Sequence, residues 1–340
     1  MTLSDRYAAL HATSPSTRIR DAAVILGTTE AALVALGGAT PLRPDWGAIF
    51  EALPEVGPIM ALTRNDHAVH ERRGSFVDVT TGPGHILVLG PDIDLRLFPR
   101  AWAHGYALGG ERPSIQIFDR DGEAVHKIFA DPASTDMAAW TALVAAFATD
   151  QPAPPPEAAV PRPAPVAEGL VDANALRADW LALRDTHDFF ALLRKHKASR
   201  RQALSLAGTD LAARLETGAA RAALTAASTA GTPIMIFVGN RHAIQIHTGP
   251  VQRLMPSPGG WFNVLDPAFN LHLRESGVAE AWRVVKPTTD GPVTSIELMD
   301  SDGGIIAQMF GARKPGKPEL ADWRGIADAV ADAHALRAAA

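Results

Sequence analysis

The chain has 340 residues, 47% of them apolar, and a net charge of −5; that is enough to bury a sizeable core, and the length suggests two domains or two structural halves. There is no cysteine, which excludes disulfide frameworks, thiolate zinc sites, iron–sulfur clusters and cysteine nucleophiles and leaves His, Asp, Glu, Tyr, Met and Arg as metal-site material. The acidic balance argues against nucleic acid as the main partner, no apolar run approaches the roughly 20 residues a bilayer requires, and MTLSDRYAALHATSPS has neither a basic nor an apolar leader region, so a soluble cytoplasmic protein is expected.

In chain order, the pattern predicts helices over DRYAALHAT, over RIRDAAVILG ending at Gly27, over Thr28–Leu36, and over Asp45–Leu53 where Pro54 stops it. Short, partly alternating strands follow at Ile59–Arg64, Ala68–Glu71, Ile86–Leu89, Ile93–Phe98 and Ser114–Phe118, and Asp121-Gly122 marks a hairpin before Ala124–Phe129. A helix starting near Met137 closes this half. Residues 151–169 carry seven prolines and no apolar periodicity, which predicts a semi-rigid extended linker.

After the linker the order restarts. ADWLALRDT matches DRYAALHAT, and RRQALSLAGTDLAARL matches RIRDAAVILGTTEAAL with Gly27 and Gly208 in register. The Asn65–His70 hexapeptide aligns with Asn240–Gln245, PDIDLRL with PAFNLHL, SIQIFDRDGEAVHKIFA with SIELMDSDGGIIAQMFG, and Trp140 with Trp323. The reading is an α+β fold of two tandem pseudo-symmetric repeats, each helices plus a large antiparallel sheet: an N-terminal repeat over 1–150, a Pro-rich linker over 151–169 and a C-terminal repeat over 170–340. Ligands favour the clefts such paired units form.

Between two matched pieces the second copy is eight residues longer, and the excess falls in the His187–Lys197 region. At 100° per residue, His187 shares a helix face with Phe190, Ala191 and Arg194, while His196 points the opposite way among Phe189, Leu192 and Leu193. Thr186 reads as the N-cap, which puts His187 at a helix start, where the dipole favours the neutral imidazole a metal needs. His187 is therefore either a metal ligand or a solvent-exposed helix residue, and His196 either a ligand or a ring packed on its own helix. Arg96, between Leu95 and Leu97 in IDLRLF, needs a partner when half-buried: a ligand, or a salt bridge to Asp92 or Asp94. His272 in FNLHLR is its repeat-mate. His67 and His70 stand at i, i+3 on a strand, on opposite faces, which weakens a joint metal site. Lys286 and Arg313 end strands where they can reach an anion, with Arg200, Arg201 and Arg241 as further cations or as plain solvated charges. G-x-G-x-x-G, Walker, G-x-S-x-G and H-E-x-x-H motifs are missing, as is a recognisable carboxylate pair, which argues against a hydrolase or nucleotide enzyme.

THDFFALLRKHKASRRQA, DIDLRLF, RNDHAVHERRGSF, STDMAAW, IMIFVGNRHAIQIHTGPV, WFNVLDPAFNLHL, AEAWRVVKPTTDGPVTSIELMDSDG and IAQMFGARKPG together resemble the cytoplasmic haem-handling proteins of Gram-negative haem-uptake systems, the HemS, HmuS, ChuS and PhuS group of haemin-degrading factors. The similarity spans nearly the whole chain. It implies haem b (iron protoporphyrin IX) as ligand, with the proximal iron ligand at His187, an arginine across the iron at Arg96, and Phe98 near the macrocycle. Arg200, Lys286 and Arg313, with Gln308 beside them, would hold the propionates and the distal water network, and His70 corresponds to a second, weaker histidine. One departure stands out: the tyrosine of the family's AQ-x-Y-G pattern is Phe310, so a distal hydroxyl is lost. The implied function is acceptance of imported haem and its passage towards degradation and iron release. A haem oxygenase, or the cytoplasmic side of the importer, would then be the protein partner. The alternatives are a haem-degrading oxygenase in its own right and a haem-responsive interaction protein.

Overall fold

The computed structural model describes residues 1–159, 168–314 and 316–336. The first repeat runs α1 (Leu3–Thr13), α2 (Ile19–Leu26), α3 (Glu30–Leu36), β1 (Thr40–Leu42), α4 (Trp46–Ala52), β2 (Pro58–Arg64), β3 (Ala68–Ser75), β4 (Val79–Gly82), β5 (His85–Leu89), β6 (Asp94–Leu97), β7 (Trp102–Leu108), β8 (Ser114–Asp119), β9 (Ala124–Ala130) and α5 (Met137–Phe147). The second runs α6 (Ala173–Leu181), α7 (Asp188–His196), α8 (Arg200–Leu206), β10 (Ala212–Leu215), α9 (Ala219–Ala230), β11 (Ile234–Gly239), β12 (Ala243–Gly249), β13 (Leu254–Ser257), β14 (Trp261–Leu265), β15 (Phe269–Arg274), β16 (Glu280–Lys286), β17 (Val293–Met299), β18 (Ile305–Gly311) and α10 (Ala321–His334). The part of the linker at 160–167 lies outside the described residues.

Side chains cap half of the helix starts among the described residues. Thr2 and Asp5 form a reciprocal capping box on α1, Thr29 caps α3, Asp136 caps α5, Asp172 caps α6 and Ser199 caps α8. Gly27 ends α2 in the left-handed region, with φ of 62°, and its repeat-mate Gly208 sits there too, at 92°. β1, β4 and β7 have no counterpart among the strands expected from sequence. In β7, WAHGYAL, small residues and burial on both faces erase the alternation that marks a strand.

The strand order is β1-β7-β8-β9-β2-β3-β15-β14-β13 in one nine-stranded sheet and β10-β16-β17-β18-β11-β12-β6-β5-β4 in the other; exchanging the repeats converts one order into the other. The strand pairs are antiparallel. Each compact unit borrows a hexapeptide from the other half of the sequence. One unit comprises Met1–Arg64, Glu71–Pro163 and Asn240–Gln245, the other Asn65–His70, Ala164–Gly239 and Ile246–Ala340.

The borrowed pieces are fixed by matching asparagines. In the first unit Asn240 donates through Nδ2 to the carbonyls of Arg64 (3.1 Å) and Val125 (2.8 Å). In the second, Asn65 donates to those of Gly239 (3.0 Å) and Ile306 (2.8 Å). The core of the first unit gathers Ile49, Phe50, Ile86, Leu95, Ile117 and Ile128 and takes in the borrowed Ala243. That of the second packs α9 and α10 on Ile234, Ile236, Ile296 and Met309 and takes in the borrowed Ala68.

Candidate functional site

In the second unit, residues in register across four strands share one face of the sheet. Trp282 stands opposite Glu297, and Val284 opposite Ser295. Glu297 in turn faces Gln308 and Ser295 faces Phe310, while Phe237 pairs with Gln308 and Met235 with Phe310. One end of this face lies under α6, α7 and α8, whose Leu176, Trp180, Phe189, Leu192 and Leu204 pack on Trp282, Val284 and Met299. At the other end Met235, Phe237, Gln308 and Phe310 remain half-buried, with the rings of Phe237 and Phe310 edge to face at 5.1 Å. Phe310 thus presents to this face a ring without a hydroxyl.

The inserted helix α7 is anchored by its inner face. Phe189 meets Trp180 edge to face at 4.5 Å, and Trp180 donates its indole N–H to the carbonyl of Val285 at 2.9 Å. Thr289 donates its backbone N–H to the carbonyl of Arg184 at 3.0 Å, tying the α6–α7 connection to the loop after β16. His196 faces inward and bonds Asp179 of α6 through Nε2 at 2.6 Å.

Below Phe189 lies a closed ionic cluster. Arg200 donates to both carboxylate oxygens of Glu297 at 2.7 and 2.8 Å, Lys286 to one at 3.0 Å, and the Ser295 hydroxyl to the same oxygen at 3.0 Å. Arg200 and Lys286 also stand over the Phe189 ring, at 5.0 and 4.8 Å. Burial pushes the Glu297 carboxyl up, but Arg200 and then Lys286 outweigh it and hold it well below the usual carboxylate range. Burial brings the Lys286 ammonium down to about 8, with Glu297 opposing that shift. Arg200 and Lys286 therefore direct their charges at a buried partner, which makes them supports of α7.

His187 is the last residue before α7, with helical backbone angles. The expected N-cap Thr186 does not cap the helix; Asp185 Oδ1 instead accepts the backbone N–H of His187 at 2.8 Å in an Asx turn. The ring of His187 also meets this oxygen, through Nδ1, at 2.6 Å. An ionised carboxylate only accepts, so Nδ1 carries the hydrogen and Nε2 presents its lone pair outward. The His187 side chain is 91% exposed. On the same outer face Phe190 is 69% exposed, with the Arg194 guanidinium 5.8 Å from its ring.

The Asp185 carboxyl lies below the usual range because of the His187 backbone N–H, then the His187 ring and the nearby Arg313, with burial opposing. Arg313 is mostly covered and reaches Asp290 at 3.5 Å. His187, Gln308, Arg313, Arg200 and Lys286 all belong to the second unit, and so does His70, which is buried with its ring 4.9 Å from Phe269.

Arg96 and Phe98 belong to the first unit. Arg96, one-third exposed, pairs with Asp94 two residues earlier on the same strand face and donates to the Leu95 carbonyl at 3.2 Å. Phe98 is 41% exposed, and its backbone donates to the His242 carbonyl at 2.9 Å. His272 bonds Asn263 through Nδ1 at 2.8 Å. Asp185 and Glu297 were missed in the sequence reading. A carboxylate two residues before the key histidine, in RDTHD, was the signal for the first, and a lone carboxylate inside the apolar strand SIELM for the second.

A doubled antiparallel α+β unit with an extra histidine helix in one copy defines the class of protein. The family model for the haemin-degrading HemS/ChuX domain matches residues 27–147 and again 197–330, and the chain belongs to this family. The stretch carrying His187 lies between the two matched domains. The chain is 40% identical over 331 residues to the hemin transport protein HemS of Yersinia enterocolitica, with 94% of each chain covered. Apo-PhuS, a haem-binding protein from Pseudomonas aeruginosa, superposes with a TM-score of 0.91 at 51% identity, over 96% of this chain and 98% of that one. ChuS, described as an E. coli haem oxygenase, superposes with a TM-score of 0.87 at 38% identity, over 97% and 99%.

Proposed function

We propose that this protein binds haem b as cargo in the cytoplasm, accepting it after import and passing it on towards degradation and iron release, with His187 Nε2 as the protein ligand to the iron. The carrying observation is the exposed imidazole whose Nδ1 is held by Asp185 (2.6 Å) while Nε2 is open. A single nitrogen donor next to an exposed aromatic ring suits an iron that arrives already chelated in an apolar macrocycle. The family membership and the haem-binding description of PhuS support the same reading.

Arg313 is the first candidate for a propionate, because its present carboxylate partner is 3.5 Å away and its charge acts on Asp185, which holds the His187 ring. Arg200 and Lys286 join it only by leaving Glu297, and Gln308 offers an amide nearby on the sheet. Arg96 and Phe98, in the first unit, are proposed as further haem contacts, with His70 as the alternative iron ligand. The protein partner is a haem oxygenase or the cytoplasmic face of the importer. Titration of ferric haem into wild type and His187→Ala tests the ligand: the variant should lose the histidine-type Soret band and bind more weakly. Unchanged spectra would move the iron to another residue.

A second reading, oxidative opening of the haem by this protein itself, is favoured by its likeness to ChuS. Incubation of the haem complex with ascorbate, with and without catalase, separates the two. Pigment formed with catalase present supports an oxygenase, and pigment formed only without it is coupled oxidation by peroxide.

A further inference from the structure

We infer that Asp185 is the positioning residue that orients the His187 ring and sets the donor strength of its Nε2, and so governs how firmly ferric haem is held. This rests on the reading of His187 as the iron ligand. One carboxylate oxygen takes both the backbone N–H of His187, at 2.8 Å, and its ring Nδ1, at 2.6 Å. A ring held at the same oxygen as its own backbone cannot turn about its side-chain bonds without breaking the Nδ1 contact. The backbone that carries the carboxylate is itself tied down: the Asp185 carbonyl accepts the backbone N–H of Asp188 at 3.1 Å, and the Arg184 carbonyl accepts that of Thr289 at 3.0 Å. The imidazole is therefore held with one tautomer and one outward nitrogen before any ligand arrives.

The charge of Asp185 has a second effect. A carboxylate on Nδ1–H pulls the proton and leaves the ring more imidazolate-like, so Nε2 becomes a stronger donor and the ferric state is favoured over the ferrous. In water the pair is screened, since His187 and Asp185 are 91% and 61% exposed. A macrocycle held at Nε2 would shield the pair from water and lower the local dielectric, which would strengthen the contact.

An amide in place of the carboxylate separates this role from that of the Asx turn. In Asp185→Asn the side-chain oxygen would still accept the backbone N–H of His187, and Asn makes the Asx turn as well as Asp, so this variant should fold and melt like wild type. Loaded with ferric haem, it should show a higher ferric–ferrous midpoint potential and, once reduced, a lower iron–histidine stretching frequency in resonance Raman. Loss of ferric haem to excess apomyoglobin should be about tenfold faster, at the low end for outer-shell partners because the pair is exposed. Asp185→Ala, which also removes the oxygen that orients the ring, should lose haem faster still and have a lower melting point. An Asp185→Asn protein with wild-type potential, stretching frequency and haem loss overturns the inference. His187→Ala serves as the separate control: a histidine–iron band surviving in it sinks the His187 assignment itself, whereas its loss beside an unaltered Asp185→Asn defeats only the role of Asp185.

Discussion

At Glu297 a carboxylate removed from water is compensated by two cations and a hydroxyl, and the compensation is one-sided: taking away the anion strands the cations. Glu297→Gln should therefore cost about 3–5 kcal/mol, read from urea unfolding, and a near-neutral result would mean the cluster is hydrated. Lys286 gives the pH signature. Its folded pKa of about 8 lies below the unfolded 10.5, so between these values the unfolded chain holds more protons and stability rises with pH. Lys286→Met should abolish that rise. His126, buried and bonded to Thr63 at 2.9 Å, works in the acid range. Burial depresses its pKa from 6.5 to about 3, so stability should fall as pH drops below 6.5, by up to about 1.4 kcal/mol per unit. His126→Gln, which keeps a partner for Thr63, should show a flatter acid limb; an identical limb would assign the proton uptake elsewhere.

Among the elements, α7 shows how far the residues alone reach. Its insertion into one copy and its helical spacing place His187 and Phe190 outside and Phe189 and Leu192 inside, as the burial has it. The helix start differs from the expected Thr186 cap because Asp185 competes for the same backbone: its carboxylate takes the His187 N–H in an Asx turn, and the helix begins with no side-chain cap. The same limit hid β7, whose double-sided burial leaves no period to read, whereas the Asp121-Gly122 turn and Gly27 follow directly from local conformational preference. The two Asn-x-His corners were visible as an alignment, but nothing in either copy says which unit each completes, since near-identical segments satisfy near-identical partners. Their cost is testable. Asn240→Ala strands the carbonyls of Arg64 and Val125 and the backbone N–H of His242, a loss of about 2 kcal/mol or more. Asn240→Asp should be no better, because a carboxylate has no N–H to donate. Asn65→Ala should behave alike in the second unit; a variant as stable as wild type would show that water replaces the amide.

For the molecule as a whole, the borrowed hexapeptides change what a half of this protein is. A fragment beginning at Ala164 contains His187, α7 and the Glu297 cluster, yet it lacks Asn65–His70, which belong to the same compact unit. Without them Gly239 and Ile306 lose the Asn65 amide, Phe269 loses the ring of His70, Arg274 loses the His67 carbonyl it donates to at 2.7 Å, and Ala68 leaves the core. An unpaired strand edge flanked by apolar surface invites association with another chain. Residues 164–340 expressed alone should therefore be poorly soluble or oligomeric and take up haem weakly. Co-expression with residues 1–163 should restore a soluble pair with one histidine-ligated haem, because each fragment supplies the hexapeptide the other is missing. Sedimentation velocity with a Soret trace reads both outcomes at once. A monomeric 164–340 fragment that binds haem as tightly as the full chain would show that the borrowed segment is dispensable, and a second equally tight haem on residues 1–163 would refute the assignment of the site to the inserted helix.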